Sequence, residues 1–415
     1  MPLTHWERIQ ALLAAVVPAN PFYSAKLAGI GPVESLQDFF TRVPFTRKSE
    51  LIEDQLRHPP FGTNLTYPVE RYTRFAQTSA TTGKPMRWLD TPESWQWMLD
   101  NWTRVFRSAG VTPLDRVFCA FSFGPFLGFW TAFEAAARMG CLVIPGGGMR
   151  SAARLAAMID TRATVLCATP TYAIHLAEVA GEEGIDLGAG KVRRIFVAGE
   201  PGGSIPATRR RIELLWPGAT VVDHHGMTET GPVTYGCPAR PGVLHVIEEA
   251  FLAEVIDPAS GRAVEAGSNG ELVLTNFGRV CSPLIRYRTG DIVCPEPPGL
   301  CPCGTSDLAL NGGILTRADD MVVVRGVNVY PAAIEEIVRS HAGAGEYRVT
   351  VGEDRALVEL WLEVEGEDHA LAHHLETALR DALSLRIPVS VVPPGFLPRF
   401  ELKARRWVRR NEGGA

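Results

Sequence analysis

VFCAFSF (117–123), CLVIP (141–145), TVLCA (164–168), RRIFVAG (193–199) and TVVDH (220–224) are short apolar runs spaced along one stretch of the chain. Segments with helical spacing separate them, at 133–138, 151–160, 172–180 and 206–215. Strands that alternate with helices need parallel pairing, because each crossover returns the chain to the same end of the sheet. The expected fold class is therefore α/β, with helices covering both sheet faces and ligands bound beyond the carboxyl ends of the strands. The first place to look for a site is the segment after the last strand, DHHGMTETG (223–231).

Working outward, residues 4–17 have the spacing of an amphipathic helix, followed by loops and short helices around Pro44 and the Pro59-Pro60 pair, with no motif that carries chemistry in the first 70 residues. After Gly242 the texture turns to strand and turn, as in LAEVIDPASGRAV (252–264) and GELVLTNF (270–277), which predicts a β-rich subdomain. Beyond Arg317 the order is one strand (321–329), a helix (331–340), strands (347–352 and 356–364), a helix (369–385) and a strand (389–394). Leu371, Leu375, Leu379 and Leu383 form one apolar stripe on the second of these helices, so a compact α+β domain of about 95 residues is expected to close the chain.

Composition narrows the function. The 415 residues are 46% hydrophobic and 21% charged, which excludes disorder and fibrous repeats and supplies two or three domains. A formal charge of -5, from 41 Lys and Arg against 46 Asp and Glu, is too balanced for a nucleic-acid footprint. Eight cysteines are too sparse for a disulfide scaffold, and Cys119, Cys141, Cys167 and Cys281 lie in apolar surroundings, so a reducing cytoplasm is expected. The apolar run 11–17 lacks a cleavage pattern and is too short to span a bilayer, so neither export nor membrane insertion is expected.

Three polar segments could carry chemistry. TSATTGKP (78–85) offers four hydroxyls and Lys84 to phosphate oxygens but lacks the P-loop spacing; alone, it also reads as a polar surface turn. HHGMTETG (224–231) sets one carboxylate, Glu229, among hydroxyls, suited to a magnesium-nucleotide complex; alone, it equally reads as a helix start with an acidic first turn. YRTGD (287–291) ends in a carboxylate able to accept from two ribose hydroxyls, or reads as a solvated turn.

With AGEPGGSIP (198–206), RADDMVVVRGVNVYPAAIEE (317–336) and LPRFELK (397–403), these strings stand in the same order as in the adenylate-forming superfamily of acyl-CoA synthetases and nonribosomal adenylation enzymes. The chain most resembles the phenylacetate-CoA ligase branch, from about residue 70 to residue 410. The resemblance implies a large N-terminal ATP- and acid-binding domain, 1–318, with parallel sheets and a β-rich subdomain, and a small mobile α+β domain, 319–415. It implies an AMP-forming ligase: a carboxylate attacks the α-phosphate of ATP, then a thiol displaces AMP from the acyl-adenylate. Thr78, Ser79, Thr81, Thr82, Gly83 and Lys84 would hold the β- and γ-phosphates, Thr228 the α-phosphate and Glu229 Mg2+. His224, His225, Gly226 and Met227 would line the nucleotide, Asp291 and Arg317 would bind the ribose, and Gly199, Glu200 and Pro201 the adenine. Lys403 would place a cation between carboxylate and α-phosphate, although alone it reads as one more solvated charge in the basic tail. Asp319 would be the hinge, and Gly326 would line the thiol tunnel.

The chain departs from the family text at Ala80, where glycine is common, at Leu402, and at His225, where tyrosine is usual; an imidazole there would make ATP binding pH-sensitive. Cys237, His245, Cys301 and Cys303 have the makings of a closed structural Zn2+ site, which some relatives in this branch carry; Cys294 as a substitute ligand, free thiols and a disulfide are the alternatives. Phe121, Phe123, Phe126, Phe129 and Trp130 could frame a flat apolar acid, or simply build core. An aryl or arylacetic acid leads by resemblance, with CoA or a carrier-protein thiol as acceptor; the alternative is an adenylating enzyme of secondary metabolism that passes its acyl group to a carrier protein or an amine. A homodimer is compatible with all of these.

Overall fold

The computed structural model describes residues 3–78, 85–128, 130–318, 320, 322–325, 327–354, 357–368, 370–400 and 404–410. The chain divides into two compact units, Met1–Gly147 with His224–Gly313, and Gly148–Asp223 with Ile314–Ala415.

The first unit opens on the helix His5–Val16, started by a capping box in which the Thr4 hydroxyl accepts from the Glu7 N–H and the Glu7 carboxylate accepts from the Thr4 N–H. Ile9, Leu12 and Val16 fall on one face and are buried against Tyr23, Phe39, Val43, Leu252 and Ile285. The helix Pro92–Ser108 begins after the Thr91 cap, with proline where the missing N–H costs nothing, and buries Trp95, Met98, Leu99, Trp102, Val105 and Phe106. Arg116–Cys119 and Leu142–Pro145 pair in parallel, joined by the helix Trp130–Arg138. The β-rich part is a six-stranded sheet in the order Thr234–Gly236, Val243–Val246, Ala309–Arg317, Tyr287–Pro295, Gly270–Asn276 and Phe251–Ile256.

In the second unit Val165–Ala168, Arg194–Val197 and Thr220–Asp223 are parallel neighbours, with register Val165↔Arg194 and Arg194↔Thr220. Helices Pro170–Glu182 and Pro206–Leu215 make the crossovers, and Ser151–Asp160 precedes the first strand. Val165–Ala168 is buried throughout, as a strand covered on both faces must be. The C-terminal part has Tyr347–Asp354 antiparallel to Leu357–Glu365, with Trp407–Arg409 and Val389–Val392 added in parallel on either side. The expected leucine stripe is the inner face of the helix Ala370–Leu383: Leu371, Leu375 and Leu379 are buried against Val349, Leu360 and Leu362, and Leu383 is partly buried at the rim. The strand expected over 321–329 is two strands, Val322–Val324 and Val327–Val329, folded into an antiparallel hairpin. Arg325 breaks the run, with φ at 49°, a left-handed conformation that no strand continues through. Among the described residues no helix is long and apolar enough to cross a membrane.

Candidate active site

Glu229 does not start a helix. Gly226–Met227 and Gly231–Pro232 pair as a short antiparallel hairpin, and residues 228–230 are its turn. Both glycines are required by contact: a Cβ on Gly226 would stand 2.8 Å from the Gly231 carbonyl oxygen, and one on Gly231, at φ 78°, would stand 2.9 Å from Met98 Sδ. Arg279 locks the turn from below. Its side chain is 0% exposed, Nη1 donates to the carbonyls of Thr228 at 2.7 Å and Glu229 at 2.8 Å, and Nε donates to Asp90 Oδ1 at 2.7 Å. The guanidinium also lies over the Trp88 ring, 5.2 Å from its centroid.

The Glu229 carboxylate is 4% exposed, and its Oε1 accepts from Lys48 Nζ at 3.0 Å and from the Tyr287 hydroxyl at 3.1 Å. A carboxylate fixed in a turn and already facing a cation fits the donor chemistry of a hard divalent ion, which takes one or two carboxylates and completes its shell with phosphate and water. Lys48 and Arg279 are charges that sequence reasoning missed. Lys48 stands in a polar helix start and Arg279 in a loop, and only the fold brings them to Glu229.

The two histidines beside this hairpin differ in environment. The ring of His224 packs on Trp102, centroids 4.2 Å apart, and its Nδ1 bonds the Thr234 carbonyl at 2.7 Å. Burial pushes its pKa down to about 3, outweighing that hydrogen bond, so His224 stays neutral at ordinary pH with Nδ1–H as the donor. His225 has its backbone N–H on Thr234 Oγ1 at 2.9 Å, and its Nε2 is 3.2 Å from Oδ2 of Asp291. Asp291, 2% exposed, lies within the strand Tyr287–Pro295 and is not a solvated turn residue. Two residues expected to meet the nucleoside are therefore in contact with each other.

Thr78 donates its N–H to the Met86 carbonyl at 2.9 Å, and its hydroxyl accepts from the Met86 N–H at 3.0 Å. Ser79, Thr81, Thr82, Gly83 and Lys84, the remainder of the expected phosphate loop, lie outside the described residues, as do Phe129, Asp319, Gly326 and Lys403. In the aromatic run, Phe123 is the hub: its ring is 4.6 Å from Phe121, 4.6 Å from Trp130 and 5.3 Å from Phe133, centroid to centroid. Phe121 is buried in that cluster, and Phe126 is 38% exposed.

The second unit holds Gly199, Glu200, Pro201 and Arg317. Glu200 ties two segments together, its Oε1 accepting from the Thr171 N–H at 2.9 Å and its Oε2 from the Ala404 N–H at 2.8 Å. Gly199 and Gly202 carry φ of 96° and 154°, and a Cβ on Gly203 would stand 2.5 Å from Asp223, so the AGEPGGSIP loop folds tightly over its strand ends. Arg317 ends the strand Ala309–Arg317.

Cys237, His245, Cys301 and Cys303 converge, their Sγ and imidazole nitrogen atoms all within 4.8 Å of one another. Cys237 and Cys301 sulfurs are 3.6 Å apart, and Cys303 Sγ is 3.5 Å from His245 Nε2. Ligands of a tetrahedral zinc with bonds of about 2.3 Å to sulfur stand roughly 3.8 Å apart, so the four atoms need little movement to share one ion. His245 Nδ1 is 3.0 Å from the Asp307 carbonyl, which leaves Nε2 turned to the thiols as a ligand nitrogen requires. The Cys301–Gly304 knuckle is closed by the Cys301 N–H on the Thr305 carbonyl and the Gly304 N–H on the Cys301 carbonyl, each at 2.8 Å. Burial alone would raise the Cys301 thiol, but hydrogen bonds from the Cys303 backbone, its neighbouring thiols and Arg240 bring it down to about 6. Cys294 is not a member of this group.

Comparison with known proteins places these features in a wider setting. The model of the AMP-binding enzyme family matches residues 76–278, and that of the AMP-binding enzyme C-terminal domain matches residues 326–410. The chain is 30% identical to the phenylacetate-coenzyme A ligase of Thermus thermophilus, over 95% of this chain and 93% of that protein. It is 30% identical to the enzyme of the same name from Escherichia coli, over 96% and 92%. Among solved structures, 2-hydroxyisobutyryl-CoA ligase in the postadenylation state, in complex with R3-HIB-AMP, superimposes with a TM-score of 0.92 at 30% identity, over 98% of this chain and 89% of that one.

Proposed function

The chain belongs to the AMP-binding enzyme family and is an ATP-dependent, AMP-forming acid-CoA ligase, and from that premise we propose that its acid is an aryl or arylacetic acid. The relatives named for phenylacetate support this acid, as does the aromatic cluster around Phe123, with Phe126 exposed beside it. In the first step the acid's carboxylate oxygen attacks the α-phosphorus, the bond to the bridging oxygen breaks, and pyrophosphate leaves. In the second the CoA thiol gives up its proton and attacks the acyl carbon, and AMP departs with the electrons of the broken C–O bond.

The observation that carries the assignment of the nucleotide site is the fixed carboxylate of Glu229, held in its hairpin turn by Arg279 and faced by Lys48 and Tyr287. Glu229 would hold Mg2+, which when bound offsets charge on the phosphates. Thr228 would bond the α-phosphate, and Thr78 with residues 79–84 the β- and γ-phosphates. Asp291 and Arg317 would hold the ribose, His225 would lie between Asp291 and the base, and Gly199–Pro201 would border the adenine. Residues 319–415 would form the mobile domain that brings Lys403 for the first step and Gly326 for the second, turning at Asp319. A cytoplasmic location accords with the supply of ATP and CoA that the reaction needs.

An ATP-pyrophosphate exchange screen across benzoic, arylacetic and short hydroxy acids, followed by CoA as acceptor, tests the substrate. Exchange with an aryl or arylacetic acid and appearance of its CoA thioester are expected; exchange confined to aliphatic hydroxy acids would overturn the aryl assignment.

The cysteine cluster would hold a structural Zn2+, closed because three thiolates and one imidazole leave no position for substrate. Purified protein should then contain about one zinc per chain by elemental analysis. Cys301→Ser should release it and lower the thermal midpoint by several degrees. Metal-free protein with wild-type stability would remove zinc from the fold.

A further inference from the structure

Thr46 is fully buried and pairs with Tyr287 as a parallel bridge: its N–H donates to the Arg286 carbonyl and its carbonyl accepts from the Arg288 N–H, both at 2.9 Å. Its hydroxyl donates to the Ile285 carbonyl at 2.7 Å. Thr46, just ahead of the helix Lys48–Arg57, is therefore joined to the strand Tyr287–Pro295 by a single bridge, and this joint brings two groups to one oxygen: the Tyr287 hydroxyl and, two residues after Thr46, the Lys48 ammonium. Lys48 precedes the stretch 76–278 that the family model matches, and its side chain is 42% exposed while that of Glu229 is 4% exposed.

A buried carboxylate left without a counter-charge is costly, and a long, half-exposed lysine is a counter-charge that can leave. We propose that Lys48 is a positioning residue for the metal-nucleotide complex: it neutralises and orients Glu229 in the nucleotide-free enzyme and yields the carboxylate to the divalent cation when ATP arrives. This rests on Glu229 being the metal carboxylate. One carboxylate carries one negative charge, so an ammonium and a dication within its reach compete whichever oxygen each takes. The backbone on which Lys48 stands is pinned to the strand carrying Tyr287, so the ammonium keeps its place for the next cycle while its four-carbon stem swings aside. The exchange spares the enzyme a bare buried carboxylate between turnovers and costs it some affinity for the free metal.

The test is Mn2+ binding to the nucleotide-free, full-length protein, read from the electron paramagnetic resonance signal of free Mn2+, for wild type, Lys48→Met, Lys48→Arg and Glu229→Gln. Lys48→Met should bind Mn2+ about fivefold more tightly than wild type, the scale of an ion pair with one half-exposed partner. Lys48→Arg, which keeps the charge, should stay near the wild-type affinity, and a circular dichroism spectrum like that of wild type should accompany both. Unchanged or weaker Mn2+ binding in Lys48→Met, with binding abolished in Glu229→Gln, would overturn the role of Lys48 while leaving Glu229 as the metal carboxylate. Mn2+ binding that survives in Glu229→Gln would overturn the metal assignment itself, and the proposal with it.

Discussion

Arg279→Ala should lower stability by about 3 to 5 kcal/mol, the cost of breaking a buried ion pair from one side. Asp90 is 1% exposed, so without the guanidinium its charge has no water to turn to, and the Ser94 hydroxyl that donates to it at 3.0 Å is neutral. The carbonyls of Thr228 and Glu229 lose a donor at the same time, which loosens the turn that fixes Glu229. Arg279→Lys should recover little of the loss, because an ammonium cannot meet Asp90 and two carbonyls with the fixed fork of a guanidinium. Denaturant titration followed by tryptophan fluorescence reads the effect, with Trp88 directly against the guanidinium. The double variant Asp90→Leu/Arg279→Leu should cost less than the sum of the two single changes, since no charge is then left alone. A wild-type midpoint for Arg279→Ala would mean that the pair does not hold the hairpin.

The parts legible in the sequence are those whose physics is local. Helices at 151–160, 206–215 and 331–340 stand where the apolar spacing and the prolines at 206 and 331 put them, because periodicity and first-turn proline act within a few residues. The leucines from 371 to 379 face the core for the same reason. The strand expected over 321–329 failed at Arg325, where the sequence carries a turn signal only in the glycine that follows, and the valines on either side read as one continuous run. Glu229 had two local readings, helix start or ligand turn, and the structure makes it the turn of the hairpin Gly226–Met227 and Gly231–Pro232, with the carbonyls of Thr228 and Glu229 held by Arg279 from 51 and 50 residues away. Lys48 and Arg279 were invisible for the same physical reason: their partners lie 181 and 189 residues away, and an isolated charge in a polar segment looks solvated until the fold closes over it. The cysteine cluster lies between these cases. Its Cys301-Pro-Cys303 core is a local knuckle, while Cys237 and His245 join it as residues paired or adjoining in neighbouring strands, with Tyr235↔His245 in register.

Lys403→Ala should slow adenylation by at least about 100-fold, the scale for losing one preorganised charge at a reacting centre. Lys403 itself lies outside the described residues, but the chain beyond it is anchored within its own unit. The Ala404 N–H is held by Glu200, and the Arg406 guanidinium, about nine-tenths buried, pairs with Glu346 and reaches Thr171 Oγ1 at 3.3 Å. Before it, Arg399 is held by Glu365 at 2.7 Å and by Glu178 at 3.4 Å. A cation that meets a developing negative charge acts best when it is in place before that charge appears. Lys403→Arg should not restore the rate, since the planar guanidinium is larger and distributes its charge differently from a compact ammonium. The pyrophosphate-exchange rate reads the first step alone. Supplying the chemically prepared acyl-adenylate with CoA reads the second, which should be slowed far less because no phosphorus is then attacked. If exchange stays near the wild-type rate, Lys403 has no part in the first step; if both half-reactions fall equally, its place is in holding the C-terminal segment and not in meeting the α-phosphate.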